Sequence, residues 1–289
     1  MKGPNVVALG GGYGLATTLR AVRGYAGTIT GVVSVADDGG SSGRLRRTFG
    51  IPAPGDLRRC LVALAAEGNP WADALEHRFD ADELAGHPVG NILLAGLTET
   101  TGDFGRAIDL LLDLLGAQGR VIPATREPVT LKATHLGGGE IEGEQTIGRT
   151  AGLTGVSLVP ADPAAHPDAL RAIAAADQIV IGPGSLFTSV LAVMAVRELR
   201  DAVAEARAHR VYVSNLAEQH PETTGYDVAA HVEALHAHGV TVDAVLHDPR
   251  TLAIGNAVVE QAELADSTGR LHDPVKLGLA LRDLLRVAD

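Results

Sequence analysis

The sequence predicts an α/β protein built on a doubly wound, mainly parallel sheet with a small antiparallel hairpin insertion. Two observations predict it. Short apolar runs alternate with longer segments of helical period, the pattern of strands buried between two layers of helices. Three loops marked by glycine and by polar side chains leave the ends of such runs. In a doubly wound sheet ligands bind beyond the carboxyl ends of the strands, near the switch in strand order. The 289 residues, 46% of them apolar, suffice for one core, and the chain is read as a single domain over 1–289.

The elements follow in order. Residues 6–9 form the first strand, and Gly10-Gly11-Gly12-Tyr13-Gly14 turns it into a helix over 15–23. Residues 29–35 form the second strand. After it, Ser41 or Ser42 is placed to cap a helix that begins near Arg44. Ile51-Pro52-Ala53-Pro54-Gly55 is a rigid turn into a helix over 57–67, with Asp56 as its N-cap. Helices over 89–100 and 104–115 are separated at Thr101-Gly102-Asp103. Strand-like stretches at 121–125 and 129–135 precede a turn at 136–140 and a further stretch at 141–147. Together they read as an antiparallel hairpin, near 121–150, inserted on the main sheet. A helix over 169–176, a strand over 178–181 and a helix opened by Gly182-Pro183-Gly184-Ser185 come next. Strands at 211–214 and 242–246 flank a helix over 227–238, and a last helix covers 274–287.

Composition narrows the function. The net charge of −11 argues against a broad nucleic-acid footprint. No apolar run reaches the ~18–20 residues of a membrane helix, and no leader pattern precedes the first strand. The single cysteine, Cys60, lies among Leu61, Val62 and Leu64 and suits a reducing compartment. The chain is therefore expected in the cytoplasm, with no nucleic-acid or membrane partner. His231, His236 and His238 do not form H-E-x-x-H and there is no cysteine cluster, so a zinc site is not expected.

The loops carry the chemistry. Glycine lets backbone N–H groups at a helix start approach an anion, so Gly10-Gly11-Gly12-Tyr13-Gly14 is a candidate phosphate loop; its plain alternative is a tight turn. A dinucleotide fingerprint fails, because its third glycine would fall on Leu15 or Thr17. Ala36-Asp37-Asp38-Gly39-Gly40-Ser41-Ser42-Gly43-Arg44-Leu45-Arg46 combines acids, glycines, hydroxyls and arginines. Arg44 and Arg46 suit phosphate, whereas Asp37 and Asp38 suit a ribose or Mg²⁺ bridging a diphosphate. Asp56 and Arg58 flank the next helix start. His87 and Asn91 could contact a base, a sugar or a phosphate. Gly182, Gly184, Ser185 and Thr188 repeat the strand–glycine–helix logic without the lysine of a P-loop. Asn215, at a strand end, could line the same cleft.

These segments, with Thr101-Gly102-Asp103-Phe104 and Ile181-Gly182-Pro183-Gly184-Ser185-Leu186-Phe187-Thr188-Ser189, resemble the bacterial gluconeogenesis-factor family (YvcK-type) in the same order from residue 6 to about 247. The resemblance implies a Rossmann-like fold related to 2-phospho-L-lactate transferase (CofD). It also implies a cytoplasmic protein that binds UDP-sugars, UDP-N-acetylglucosamine in particular, and supports cell shape and wall synthesis on gluconeogenic carbon. Mg²⁺ accompanying the UDP-sugar is the one cofactor candidate, and a homo-oligomer or a regulatory protein partner is compatible with it. The alternative is a transferase that moves a phospho-lactyl-type group from a nucleotide-activated donor. Tyr13 stands where the family usually has a small threonine, which is expected to narrow the first loop. Pro221 and Thr224 also depart from the pattern, and beyond Asp248 the likeness weakens.

Overall fold

The computed structural model describes residues 3–288; Met1 and Lys2, which open the expected run into the first strand, lie outside the described residues, as does Asp289. The strands in chain order are β1 (Asn5–Gly10), β2 (Thr28–Val33), β3 (Arg120–Pro123), β4 (Thr130–His135), β5 (Glu140–Glu142), β6 (Leu153–Val159), β7 (Gln178–Ile181), β8 (His209–Val213), β9 (Ala244–His247) and β10 (Glu260–Gln261). Seven of them form one sheet in the order β10-β9-β8-β7-β1-β2-β3. Every neighbouring pair in it is parallel. The order reverses around β1: the chain first runs outward through β2 and β3, then returns to the other side of β1 with β7. The doubly wound, α/β expectation is met, and the switch point lies between β1 and β7.

The central strands are apolar because both faces are covered. All four residues of β7 are buried, as are Val6–Gly10 of β1. The helix Gly12–Val22 packs Leu15, Leu19 and Val22 into this core. Its partner across the layer is the helix Pro54–Leu64, which contributes Leu57, Leu61 and Leu64. Gln178 is a buried polar residue at the start of β7. It accepts from the Tyr25 hydroxyl at 2.5 Å and donates to the Leu281 carbonyl at 2.9 Å, so it ties the last helix, Pro274–Ala288, to the sheet.

The insertion differs in form from the expected hairpin. Val121–Pro123 belongs to β3 at the edge of the main sheet, while β4, β5 and β6 form a separate antiparallel sheet in the order β5-β4-β6. The expected strand at 141–147 is short, because Gly143 adopts φ +93° and the chain turns into the helical turn Glu144–Ile147. β6 escapes a reading by alternation: only Leu153 and Leu158 along it are buried. The helices Pro70–Glu76 and Arg197–Glu205 also lie outside the elements expected from sequence.

Two capping expectations are corrected. The helix after β2 begins at Gly40, not near Arg44, and neither Ser41 nor Ser42 caps it; its N-cap is Gly39, without a side-chain bond. The next helix begins at Pro54, so Asp56 stands inside its first turn and does not cap it. Proline suits a first helical position, where no N–H is needed.

One backbone contact sets how closely the two loops at the switch point approach. A Cβ at Gly14 would lie 2.6 Å from the Pro183 carbonyl carbon and 3.0 Å from Gly184 Cα. Gly14→Ala is therefore expected to lower the melting temperature by at least about 3 °C, the scale of a 1–3 kcal/mol overpacking cost in a chain of this size. Gly96→Ala is the control. It lies within the helix Val89–Thr101 with nothing within 4 Å of the added methyl, and is expected to hold or slightly raise stability in the same thermal melt.

Candidate functional site

The loops after β1, β2 and β7 leave the same edge of the sheet, and the structure brings their residues together. The first loop runs Gly10, Gly11 and into the helix at Gly12. Gly10 ends β1 and accepts from Ser34 N–H at 2.9 Å, so it is tied to the exit of β2. Gly11 has no room for a side chain: a Cβ there would lie 2.6 Å from Asp56 Oδ2 and 3.3 Å from Ser189 Oγ. Asp56 thus sits beneath the first loop and Ser189 faces it from the third. The first N–H groups of a helix have no intrahelical partner, and those of Tyr13 and Gly14 meet no acceptor among the described residues. Tyr13 does not narrow this loop. Its ring is 69% exposed and lies under Arg59, whose guanidinium carbon is 4.5 Å from the ring centroid.

Arg59 is held in turn by Asp56, at 2.7 Å. Burial raises the Asp56 pKa, with Asp37 adding to the rise; Arg59 and the Gly12 N–H oppose it. The adjacent Arg58 points elsewhere, because neighbours on a helix diverge by about 100°. It is 1% exposed, and its Nε and Nη2 each meet the Glu76 carboxylate at 3.1 Å. Its Nη1 donates to Asn91 Oδ1 at 3.2 Å. Asn91 Nδ2 donates to Ser41 Oγ at 3.0 Å, which also pairs with His87 Nδ1 at 2.8 Å. Arg58, Asn91, Ser41 and His87 are therefore one continuous buried network behind the second loop. Burial and then Arg44 push the His87 pKa down, which favours the neutral ring.

The second loop splits its acids. Asp37 Oδ1 accepts from Gly39 N–H at 2.8 Å, while a Cβ at Gly55 would lie 3.0 Å from its Oδ2. Asp38 reaches the other way and accepts from Gln145 N–H at 3.0 Å, at the head of the helical turn after β5. Gly40 opens the helix and is exposed, whereas Ser42, buried in its first turn, is directed at Gly55. Arg44 is exposed and donates to the Ala85 carbonyl at 2.7 Å, beside Gly86 and His87. Arg46 donates to Thr130 Oγ1 at 2.9 Å, joining the second loop to the antiparallel sheet.

That antiparallel sheet delivers a residue the sequence reading passed over. Glu144 carries a carboxyl pKa pushed up to about 9 by burial, by the charges of Asp37 and Asp56, and by a hydrogen bond to Asp37. Two like-charged carboxyls that share a site cannot both ionise cheaply, so Glu144 holds a proton at neutral pH and donates it to Asp37. Glu144 lies more than a hundred residues from Asp37 and belongs to no motif; the Gly143 turn before it was its only local signal. No group of three or more His, Cys, Asp or Glu among the described residues is arranged to hold a metal by itself. Mg²⁺ commonly takes one or two carboxylates plus ligand phosphates, and Asp37 fits that share, with Glu144 able to join it once its proton is displaced.

The third loop is braced from β8. Asn215 accepts from Gly184 N–H at 3.0 Å and donates to the Gly184 carbonyl at 2.9 Å, gripping both backbone polar groups of one residue. Thr18 Oγ1 donates to the Gly182 carbonyl at 2.9 Å from the first helix. The helical N–H groups that the sequence offers to a ligand already have an acceptor. Glu222, 4% exposed, accepts from Phe187 N–H at 2.6 Å, from Thr188 N–H at 3.3 Å and from Ser185 Oγ. Burial raises its pKa; the three donors oppose the rise. Glu144 and Glu222 thus stand among these loops without having been candidate site residues in the sequence.

Comparison with known proteins follows this geometry. The family model described as 2-phospho-L-lactate transferase CofD matches residues 6–281. A Nostoc sp. protein provisionally designated a gluconeogenesis factor is 45% identical over 238 residues, 82% of this chain and 52% of that protein, so the chain spans about half the length of this relative. A gluconeogenesis factor of Halalkalibacterium halodurans is 42% identical over 253 residues, 86% of this chain and 78% of the other. A crystal structure of a UPF0052-family protein from Bacillus halodurans superposes with a TM-score of 0.92 at 35% identity, covering 98% of this chain and 99% of that one.

The proton on Glu144 gives a pH signature. Its pKa is about 9 folded against an ordinary 4.5. Between these values the folded protein holds a proton that the unfolded chain has released, so stability falls as pH rises. Glu144→Gln keeps a donor toward Asp37 without the titration. The variant should melt within error of the wild type near pH 5 and about 2 °C or more above it near pH 8. Parallel melting curves that keep one offset across this range would remove Glu144 from the proton balance of the site.

Proposed function

The chain belongs to the CofD family, and on that premise we propose that it is a cytoplasmic UDP-sugar-binding regulator of the gluconeogenesis-factor type. Its ligand is UDP-N-acetylglucosamine or a close relative, and its role is to support cell shape and wall synthesis on gluconeogenic carbon. One observation carries the reading: three loops from strands distant in sequence, those after β1, β2 and β7, meet at one strand edge where the sheet order reverses. Each contributes what a sugar nucleotide needs. The first helix offers free N–H groups to an anion. Arg44 and Arg46 supply positive charge. Asp37, Asp38 and Asp56 supply acceptors, and their mutual repulsion, which adds to burial in keeping a proton on Glu144, favours a cation near the diphosphate. Asp37, and Glu144 once deprotonated, would hold that Mg²⁺, whose positive charge would offset that of the diphosphate.

A transferase is the second reading, favoured by the Asp37–Glu144 pair. Once deprotonated, Glu144 is placed to accept the proton of an attacking hydroxyl. Incubation with a nucleotide-activated phospho-lactyl donor, a deazaflavin acceptor and Mg²⁺ distinguishes the two, since a pure binding protein forms no product.

Titration calorimetry with UDP-N-acetylglucosamine is expected to show saturable binding without turnover, weakened tenfold or more by removal of Mg²⁺. A ligand at 100 times its Kd should stabilise the fold by about 2.7 kcal/mol. Lack of saturation at millimolar ligand overturns the reading. Arg44→Ala should weaken binding by roughly 1.5–3 kcal/mol, the loss of one charge-assisted phosphate bond, and an unchanged affinity would take Arg44 out of the site.

A further inference from the structure

We infer that Glu222 divides the cleft by chemistry: it converts the loop after β7 from a phosphate subsite into one that selects an uncharged, hydroxyl-bearing part of the ligand. This rests on the sugar-nucleotide reading and adds the orientation of the ligand to it. The sequence of the 182–189 loop suggests donors for a phosphate. In the fold those donors are spent. Phe187 and Thr188 N–H both meet Glu222 Oε1, at 2.6 and 3.3 Å, and the Ser185 hydroxyl meets Oε2. Thr188 Oγ1 in turn donates to Ser185 Oγ at 2.6 Å.

The direction of this relay matters. Two backbone N–H bonds favour the ionised carboxylate, which only accepts. Ser185 must then give its proton to Glu222, and Thr188 gives its proton to Ser185. Both hydroxyls are left with lone pairs as their only free valences. A phosphate needs donors and would meet acceptors beside a buried negative charge. A sugar hydroxyl or an amide N–H supplies the proton that these acceptors lack. The first loop presents the opposite face, with the N–H groups of Tyr13 and Gly14 unoccupied and Ser189 Oγ facing Gly11 across the gap. Phosphate therefore belongs over the first helix and the sugar over the third loop. Glu222 is a positioning residue in this scheme, acting on the ligand through Ser185 and Thr188.

The experiment compares UDP-N-acetylglucosamine, UDP and inorganic phosphate as calorimetric ligands for the wild type, Glu222→Gln and Ser185→Ala, with Mg²⁺ present. The wild type should prefer the UDP-sugar to UDP, and inorganic phosphate, confined to the first loop, should bind more weakly than either. Glu222→Gln offers a donor to Ser185 and removes the charge; the preference for the UDP-sugar should fall tenfold or more, and UDP should bind more tightly than to the wild type. Glu222→Asp, which keeps the charge, should retain most of the wild-type preference. Ser185→Ala breaks the relay while leaving Glu222 on its two N–H groups, and should also lose preference, which keeps the inference testable if Glu222→Gln does not fold. A wild type that binds UDP-N-acetylglucosamine together with folded variants of unchanged preference overturns the division of the cleft and leaves the sugar-nucleotide reading standing. A wild type that binds neither UDP nor the UDP-sugar overturns both.

Discussion

The site depends on the direct contact between the start of the first helix and the backbone of the loop after β7. No side chain separates Gly14 from Pro183 and Gly184. Adjacent parallel strands lie about 4.8 Å apart, so the loops from β1 and β7 must leave the sheet side by side. Their helices then diverge because the chain order reverses there. In such a sheet a ligand crevice is expected at this point; here two helix starts are forced close together, and glycine is the residue that allows it. Asn215, bonded to both sides of Gly184, and Thr18, bonded to the Gly182 carbonyl, hold the second wall of this crevice in place.

Charge is organised around that crevice by the chain's own acids. Asp56 lies under the first helix start and Glu222 on the third-loop helix start, so the partial positive charge of each already faces a carboxylate. Burial raises both pKa values, and neighbouring donors limit the rise. They differ in their surroundings. Asp56 is matched by Arg59, which is also stacked on Tyr13. Glu222 has no arginine or lysine partner among its hydrogen bonds and relies on N–H and hydroxyl donors alone. The acid at the first loop is thus paired with a cation, while the acid at the third loop meets only N–H and hydroxyl donors among the described residues. Beside Asp37, burial and the neighbouring acids keep Glu144 protonated to higher pH.

Reading along the chain succeeded where local backbone sets the feature. The glycine clusters, the acid pair Asp37–Asp38 and the hydroxyls after Gly184 all stand at strand ends, and strand ends were visible from apolar runs. It did less well where a side chain's direction matters. Arg58 and Arg59 are equivalent in sequence, yet one turns into a buried network with Glu76 and Asn91 and the other into the cleft. Spacing held a clue, since Asp56 and Arg59 are three apart and share a helix face. Tyr13 was expected to crowd the loop, but a side chain at a helix start can turn outward, and this one lies under Arg59. β6 was missed because a sheet packed on only part of one face has few buried positions to reveal its period.

By itself, the sequence determined the α/β class, the parallel pairing implied by short apolar strands, and the three glycine-marked loops at strand ends. These are local properties, set by periodicity, glycine geometry and residue type within a few positions. Only the tertiary structure decided which donors remain free and which acids share a proton. Glu144 meets Asp37, and Glu222 meets Phe187 and Thr188, across long stretches of chain. A hydrogen bond or a pKa depends on the few ångströms around a polar atom, and no pattern of neighbours along the chain specifies what folding will bring there.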